Sequence, residues 1–384
     1  MNAQPDFIVI GAGIAGASAA FELAAHGDVV VLERESLAGY HTTGRSAAFV
    51  VENYGPPTVR ALTRTGRDFF LDPPDGFSEH PLVHPNPMLW VGRPEQDASI
   101  EAELVASREA GTPLEELSVA EARELCPVLR PDYFNRALCE RDALHIDVAG
   151  LLSSYLRGVR FRGGEIVTEN EVLSLRYGAG RGRVETSLGR IEAPVVINAA
   201  GAWADRVAQC ARVPGLGLQP KRRTAITFDP PDGADIRDWP CVVDPEEEFY
   251  FKPEGGQLLA SPCDETPMDP SDVVPEDYEI ALVADRVQKA TTLDIRHIRR
   301  SWAGLRNFVA DRAPVIGEDP GHRGFYWLAG QGGFGIMTAP AAARTVAALV
   351  VDGAIPADVG AQGVTAGDFS RVRLDGADPL AASA

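Results

Sequence analysis

Short apolar runs enclose a helical stretch at the start of the chain. The runs Phe7–Ile10 and Val29–Leu32 are rich in β-branched residues, which predicts two buried strands. Residues 15–26 between them are rich in alanine and leucine and are followed by Gly27, which predicts a helix that ends there. Strand, helix and strand in this order predict a parallel, right-handed βαβ unit.

Apolar runs of the same kind return later in the chain. Residues 166–168, 171–176 and 184–187 predict three strands of one small sheet. The segments "PVVINAAGAWA" and "GFYWLAGQGGFGIMTAPAAARTVAALV" each predict a strand, a tight turn and a helix. Residues 213–300 instead alternate strand-like runs with Pro, Asp and Gly turns, before a helix near residues 278–290.

The positions of these patterns predict an α/β fold made of two interleaved domains. Because strand–turn–helix units stand at the start, in the middle and near the end, we expect a discontinuous, Rossmann-like nucleotide-binding domain made of residues 1–70, 141–212 and 301–375. Residues 71–140 and 213–300, which are interrupted by prolines and turns, are expected to form a substrate-binding domain.

A glycine turn joins the first strand to the first helix. Gly11, Gly13 and Gly16 form the pattern G-x-G-x-x-G, which permits a sharp turn, a close approach of a pyrophosphate and tight packing of helix on strand. Glu33 follows the second strand, where an acid accepts hydrogen bonds from ribose hydroxyls and disfavours a 2′-phosphate. The turn therefore predicts NAD or FAD rather than NADP, with a ligand-free glycine turn as the alternative.

Composition narrows the class of partner and compartment. The net charge of −19 disfavours nucleic acid and anionic membrane surfaces as partners. The five cysteines are widely spaced without a Cys-x-x-Cys pair, and the histidines show no metal-ligand spacing, so no metal site is predicted. We recognise neither a signal peptide nor a transmembrane segment, and we expect a cytoplasmic protein.

Two later glycine-rich stretches decide between the nucleotides. The segments "GYHTTGRSAAF" and "WLAGQGGFGIMT", together with "NAAGAW", "GLQPKRR", "WAGLR" and "FVAD", resemble the D-amino-acid oxidase and dehydrogenase superfamily of FAD enzymes, which includes glycine and sarcosine oxidases. The resemblance spans nearly the whole chain, and within the superfamily it is greatest to the bacterial D-arginine dehydrogenases. It implies an FAD domain of the glutathione-reductase type and a substrate domain that contains a mixed β-sheet.

The resemblance also implies non-covalent FAD and a set of residues around it. The implied cofactor-binding residues are Gly11, Gly13, Ile14, Ala15, Gly16, Glu33, Arg34, Thr43, Gly44, Arg45, Ser46, Ala47, Val172, Ala200, Gly201, Trp203, Gly304, Arg306, Gly332, Gly333, Gly335, Ile336, Met337 and Thr338.

A carboxylate-binding group is implied on the substrate side. Arg223 and Arg306 are expected to hold the substrate carboxylate through paired hydrogen bonds, with the hydroxyl of Tyr250 beside them. Gly304 is expected to offer its carbonyl to the amine. Tyr54 is expected over the site, or else as a loop aromatic that seals the core.

Alternation along "KRRTAITF" separates three neighbouring cations. It places Lys221 and Arg223 on one face of a strand and Arg222 on the other, so the three cannot share one role. We expect Arg222 to be a solvated charge.

The pocket for the substrate side chain departs from the D-arginine dehydrogenases. Met88 stands where the resemblance implies a carboxylate for the guanidinium, Phe49 replaces a histidine, and Met337 replaces a glutamine. With Cys241 and Val243, these residues predict a pocket for apolar or aromatic side chains. Glu52, near Phe49 in the chain, is expected to be an exposed loop acid; the alternative is that it points inward and restores a preference for basic side chains.

The sequence therefore predicts an FAD-dependent D-amino-acid dehydrogenase that transfers hydride from the substrate Cα to the flavin N5 and yields an imino acid, then a 2-oxo acid and ammonia. The electron acceptor, a quinone or another compound, is not predicted. An oxidase, an enzyme for glycine, sarcosine or other secondary amines, a 2-hydroxy-acid dehydrogenase, and an RNA-modification or structural module that carries FAD remain alternatives.

Overall fold

The computed structural model describes residues 4–178 and 180–375. Residues 1–3 and 179, which fall in the predicted nucleotide-binding domain, lie outside this range. The strands are β1 (Phe7–Ile10), β2 (Val29–Leu32), β3 (Phe49–Val50), β4 (Val83–Pro85), β5 (Met88–Gly92), β6 (Glu115–Leu117), β7 (Arg136–Glu140), β8 (Leu144–Ile146), β9 (Glu165–Val167), β10 (Val172–Gly178), β11 (Arg181–Thr186), β12 (Gly189–Ala193), β13 (Val195–Asn198), β14 (Gln219–Phe228), β15 (Cys241–Val243), β16 (Tyr250–Glu254), β17 (Gln257–Ser261), β18 (Thr266–Pro267), β19 (Ile298–Phe308), β20 (Val315–Glu318) and β21 (Phe325–Ala329).

Helices pack on both faces of the first sheet and on both faces of the largest. The α-helices are α1 (Ile14–Leu23), α2 (Pro57–Leu71), α3 (Asp97–Glu109), α4 (Val119–Leu125), α5 (Val148–Phe161), α6 (Ala204–Ala211), α7 (Asp277–Ala290), α8 (Ala339–Val351), α9 (Ala357–Gly360) and α10 (Ala366–Phe369). Against the largest sheet, α3 lies in one core and α4 and α7 lie in another. In the described ranges, no helix is both long and apolar enough to cross a membrane.

A mostly parallel sheet organises the nucleotide-binding part. Its strand order is β20-β21-β13-β1-β2-β9, and only β20 runs antiparallel to its neighbour. Alternate residues of β1 enter two different cores, because Phe7 and Val9 face the helical layer that contains α1, α5 and α8, whereas Ile8 and Ile10 face α6 and the small sheet β10-β11-β12. Burial on both faces explains why β1 and β2 are uninterrupted apolar runs.

One strand lies in a different sheet from the one expected. The prediction that residues 166–168 belong to the small sheet with residues 171–176 and 184–187 was wrong, because β9 pairs in parallel with β2 at the edge of the first sheet. The helix α5 precedes β9 and returns the chain to that edge, as a crossover between parallel strands requires. The remaining two runs do pair, as β10 and β11.

A mixed sheet organises the rest of the chain. Its order is β18-β14-β17-β16-β15-β5-β7-β6, β19 pairs with β14, and the contact between β15 and β5 is parallel. Strand β19 begins at Ile298 and so crosses the predicted boundary at residue 301, which leaves residues 301–308 in this sheet. The short strands β3, β8 and β4 form a separate antiparallel sheet.

The expectation that Arg222 is solvated was wrong. Arg222 is 2% exposed. It pairs with Glu276 and with Glu279, 2.7 Å away, at the start of α7, and its Nε lies 3.5 Å from Asp264. The alternation along β14 is correct, but the face opposite Arg223 is covered by α7, so the cation is buried with its counter-charges instead of meeting water.

Replacing Arg222 with methionine is expected to destabilise the fold by about 3–5 kcal/mol, because a buried carboxylate loses its cation. Urea unfolding followed by circular dichroism measures this difference. Arg237→Met, which removes a surface arginine paired with Asp235, is the matched control and is expected to leave the midpoint unchanged. Equal midpoints for the two variants would contradict the structural role of Arg222.

Candidate active site and cofactor cavity

A cavity of about 420 Å³ opens at the carboxyl ends of the parallel strands. Gly11 follows β1, Glu33 follows β2, Ala199 follows β13 and Gly330 follows β21, and all four line it. Ligands of parallel α/β sheets bind at this edge, where successive loops diverge.

The glycine turn is shaped by close backbone contacts. Gly11 has φ +103°, and a Cβ placed on it would lie 2.6 Å from the carbonyl oxygen of Ala199. A Cβ on Gly16 would lie 1.9 Å from the carbonyl oxygen of Gly11, so Gly16 packs the helix on the turn without lining the cavity. The hydroxyl of Thr43 accepts a hydrogen bond of 3.0 Å from the amide of Ile14 and fixes the first turn of α1.

An acid and a stacked arginine line the cavity beyond this turn. The carboxylate of Glu33 accepts hydrogen bonds from the amides of Ala12, at 2.7 Å, and Glu35, at 2.9 Å. These bonds hold the carboxylate at the cavity wall and leave its other lone pairs for a ligand. The guanidinium of Arg34 lies over the ring of Trp203, 4.3 Å from its centre, and both residues line the cavity.

The polar groups in the wall fit FAD. The side-chain atoms Asn170 Nδ2, Asn307 Oδ1 and Gln331 Nε2 are buried without a hydrogen-bond partner, and all three residues line this cavity. Buried polar atoms without partners are costly, so these two donors and one acceptor favour a ligand rich in polar edges. FAD would extend from the glycine turn at Gly11 to the second glycine turn at residues 332–336.

Most of the residues implied for the cofactor line this cavity. Four do not: Gly16 and Gly44 approach neighbouring backbone, Thr338 is buried before α8 with its hydroxyl donating to Phe334, and Met337 lines a second cavity. The structure brings the others together: Gly11, Gly13, Ile14, Ala15, Glu33, Arg34, Thr43, Arg45, Ser46, Ala47, Val172, Ala200, Gly201, Trp203, Gly304, Arg306, Gly332, Gly333, Gly335 and Ile336.

A second cavity of about 330 Å³ adjoins the first. Arg223, Tyr250 and Arg306 line both cavities and mark their junction. The predicted residues of the substrate side also line the second cavity: Phe49, Tyr54, Met88, Cys241, Val243 and Met337. Cys241 pairs with Met88 across β15 and β5, which places the two side by side on the cavity wall.

Arg306 has no acidic partner among the residues that the structure describes. Its guanidinium lies against the backbone of Gly333, where a Cβ would be 2.6 Å from Cζ. Its Nη1 donates a long hydrogen bond of 3.4 Å to the hydroxyl of Tyr54. An enclosed guanidinium without a carboxylate is costly, so this site favours an anionic ligand.

Arg223 is held in place from behind. Its Nε donates to the carbonyl of Asp264 at 3.0 Å and its Nη2 to the carboxylate of Glu265 at 3.4 Å. Glu265 also accepts from Lys221 and Arg312, and these cations, acting against the rise that partial burial causes, hold the pKa of its half-buried carboxyl down at about 2. Arg223 therefore faces the junction in a fixed orientation.

Two phenols complete the junction. Burial raises the pKa of Tyr250 to about 12 and that of Tyr54 further. Both phenols are therefore protonated at neutral pH and can donate hydrogen bonds to an anion. Tyr54 is fixed by an edge-on contact with Phe334, with ring centres 5.0 Å apart.

Several residues that line the second cavity were not predicted from the sequence. Cys263 is a buried thiol whose pKa burial raises to about 11, so it is not a nucleophile at neutral pH. Five others are charged: Arg60, Glu103, Asp244, Glu247 and Arg312. Glu247 has φ +54° in the turn between β15 and β16, and the "DPEEE" run there was the available signal.

The expectation that Glu52 is exposed was also wrong. Its side chain is only 15% exposed and lies 3.4 Å from Arg67 of α2, which screens it from solvent. The described residues that line the second cavity do not include Glu52.

Gly11→Ala is expected to purify with bound FAD reduced at least about tenfold, because the added Cβ meets the Ala199 carbonyl and an L-residue is strained at this φ. The flavin-to-protein absorbance ratio measures the loss. Gly178→Ala, where a Cβ would meet open space, is the control. Full flavin content in Gly11→Ala would contradict the cavity assignment.

Comparison with known proteins bears on this site. Sarcosine dehydrogenase of Mus musculus is 25% identical over 370 residues, which cover 90% of this chain and 39% of that protein, so the chain spans about two fifths of its length. Glycine oxidase of Bacillus licheniformis is 24% identical over 91% of this chain and 94% of its own. The crystal structure of L-proline dehydrogenase from P. horikoshii has TM-score 0.82 and 21% identity, covering 98% of this chain and 99% of its own.

The family profile described as DAO, FAD dependent oxidoreductase, matches residues 6–349. The predicted fold class, an α/β fold with a mixed second sheet, is confirmed by this match and by the structural likeness. The prediction of FAD as cofactor is confirmed as well. The chain belongs to the DAO family of FAD-dependent oxidoreductases.

Proposed function

We propose that the protein is an FAD-dependent dehydrogenase of D-amino acids with apolar or aromatic side chains. The observation that carries the proposal is Arg306, a guanidinium without an acidic partner in the described chain, at the junction of the cofactor cavity and the second cavity. An amino acid supplies the missing carboxylate and presents its Cα beside that junction.

The substrate carboxylate would lie between the two arginines. Arg306 and Arg223 can each donate from a planar fork, and Tyr250 and Tyr54 are protonated and can add hydroxyl donors. Charge-assisted hydrogen bonds in an enclosed site fix the orientation of the acid end. The remaining bonds of Cα are then directed by the cavity walls.

The amine end would point toward β19. Gly304 lies opposite Arg223 in the ladder between β14 and β19 and lines the cofactor cavity, so its carbonyl is proposed to accept a hydrogen bond from the amine. The acceptor for the hydride that leaves Cα would be supplied by bound FAD. The protein contributes orientation and exclusion of water.

The wall of the second cavity supports an apolar side chain. Phe49, Met88 and Cys241 are buried and belong to one hydrophobic cluster with Trp90. The carboxylates that also line the cavity already have cationic or amide partners: Glu103 lies 3.8 Å from Arg60, Glu247 lies 3.6 Å from Arg223, and Asp244 accepts from Gln96 at 3.0 Å. A substrate guanidinium would have to displace one of these partners.

Small amines form a second candidate class of substrate. Two relatives are named as a sarcosine dehydrogenase and a glycine oxidase, and both substrates are amino acids whose carboxylate the same arginines could hold. D-stereochemistry and dehydrogenase rather than oxidase activity come from the resemblance in the sequence.

Anaerobic mixing of the yellow enzyme with a panel of amino acids tests the proposal. We expect D-leucine or D-phenylalanine to bleach the flavin with an efficiency at least about 100-fold above that of D-arginine, because a guanidinium finds no free acid in the pocket. The L-enantiomers are the matched controls.

The other outcomes of this experiment support different conclusions about the substrate. Equal rates for D-arginine and D-leucine would contradict the apolar pocket, and reduction by sarcosine or glycine alone would favour the second candidate. Failure of every amino acid to bleach the flavin would contradict the proposed function. Peroxide formed per turnover in air separates an oxidase from a dehydrogenase.

A further inference from the structure

The segment of residues 51–55, called here the Tyr54 loop, forms one wall of the second cavity. Val51, Asn53, Tyr54 and Gly55 line that cavity, and the segment follows the short strand β3. Its backbone amides at Glu52 and Asn53 donate to a side chain of another sheet rather than to a neighbouring strand. The position of the loop therefore depends on that side chain.

Glu140, the last residue of β7, is the side chain that receives these bonds. One carboxylate oxygen accepts from the amide of Glu52 at 2.7 Å, and the other accepts from the amide of Asn53 at 3.4 Å and from its side-chain Nδ2 at 2.8 Å. The Oδ1 of the same asparagine accepts from the hydroxyl of Thr112 at 2.8 Å. The side-chain amide of Asn53 thus ties the loop to strand β7 at one end and to the turn between α3 and β6 at the other.

A buried carboxylate such as that of Glu140 is an unusual side chain to hold a loop in place. Glu140 is 5% exposed and forms no ion pair among the described residues, so three donors from the loop are its compensation for burial. A neutral side chain could have filled the space without this desolvation cost. A buried carboxylate bonded only to loop donors indicates a role in the position of the loop.

We propose that Glu140 is a positioning residue that latches the Tyr54 loop to the mixed sheet and thereby holds the hydroxyl of Tyr54 against Arg306. The consequence for substrate binding rests on the proposed function, whereas the latch itself does not.

The charges around Glu140 give the latch a pH dependence. Burial raises the pKa of Glu140 to about 7, although the bonds from Asn53 and Glu52 oppose the rise. The acids that face it, Asp142 in the next turn and Glu52 in the loop, raise its pKa further.

The cations nearby are already engaged. Arg67 of α2 pairs with Glu52 at 3.4 Å and with Asp142 at 3.3 Å. Arg141 pairs with Glu115 of the neighbouring strand β6.

The sign of the effect follows from the raised pKa. Below about pH 7 the carboxyl is protonated, one oxygen becomes a donor that faces loop donors, and the latch weakens. Global stability changes in the opposite direction: the folded state binds the proton more tightly than the unfolded chain, so this group's contribution to stability falls as pH rises from about 4.5 to about 7. A latch that costs stability when it is engaged differs from an ordinary structural contact.

The variant Glu140→Gln, studied in the FAD-loaded enzyme, distinguishes a role of Glu140 in positioning the loop from a role in global stability. The glutamine amide has one acceptor oxygen, so it can replace only one of the two carboxylate oxygens that accept hydrogen bonds from the loop. We therefore expect deuterium exchange of the peptide spanning residues 49–56 to become faster at pH 8, while the melting temperature is unchanged or higher. In the unmodified enzyme, exchange of that peptide, corrected for its intrinsic pH dependence, should become slower above about pH 7. The KM for the best substrate should rise roughly tenfold from pH 8 to pH 6 with kcat nearly constant, as the ionised fraction falls.

Two further variants complete the test. Thr112→Val removes the other tie to Asn53 without removing a titrating group, so KM should rise while the pH midpoint stays near 7. Glu115→Gln on the adjacent strand is the matched control, because Glu115 contacts Arg141 and not the loop, and it should match the unmodified enzyme.

The possible outcomes distinguish failure of the latch from failure of the proposed function. Unchanged exchange at residues 49–56 in Glu140→Gln, or a pH step in KM that persists in that variant, would overturn the latch. An intact exchange effect in a protein whose flavin no amino acid reduces would leave the latch standing and overturn the proposed function.

Discussion

The organisation of this molecule depends on one electrostatic constraint: the guanidinium of Arg306 lies in an enclosed junction and forms no ion pair with any of the described residues. In a chain of net charge −19, acids are abundant, and the two most buried arginines of the described residues, Arg222 and Arg223, both pair with carboxylates. Arg306 instead meets the backbone of Gly333 and the phenol of Tyr54. The site is therefore incomplete without an anion, and that incompleteness carries the functional proposal.

Three consecutive cations of β14 point to two different faces of the mixed sheet. Along β14, Lys221 and Arg223 turn toward Glu265, whereas Arg222 turns toward α7. The counter-charges of Arg222 therefore lie on the α7 face, and Arg223, which is held by Glu265, lines the cofactor cavity. Since β14 pairs with β19, Arg306 and Gly304 are brought beside Arg223 by backbone hydrogen bonds. The parallel sheet contributes the glycine turn and Glu33 at the other side of the cavity.

Sequence reasoning succeeded where the signal is local. The turn Gly11–Gly16 and the acid after β2 combine short-range patterns with backbone geometry, so they were predicted with their residues. It failed where a distant element decides the environment. Arg222 is buried only because α7 covers it, and β9 joins β2 only because α5 returns the chain to that edge. The residues around Glu140 in the sequence give no indication that its side chain binds residues 52 and 53. Local periodicity carries no information on such contacts.

The sharpest experiment compares an amino acid with its carboxamide as ligands of the oxidised enzyme, by the spectral shift of the flavin in the rapid binding phase that precedes reduction. We predict that the amide of D-leucine binds about 100-fold more weakly than D-leucine, because the amide carries no negative charge and offers only one acceptor oxygen to the two arginines. We also predict that this preference largely disappears in Arg306→Met. Equal affinity for acid and amide in the unmodified enzyme would contradict the account.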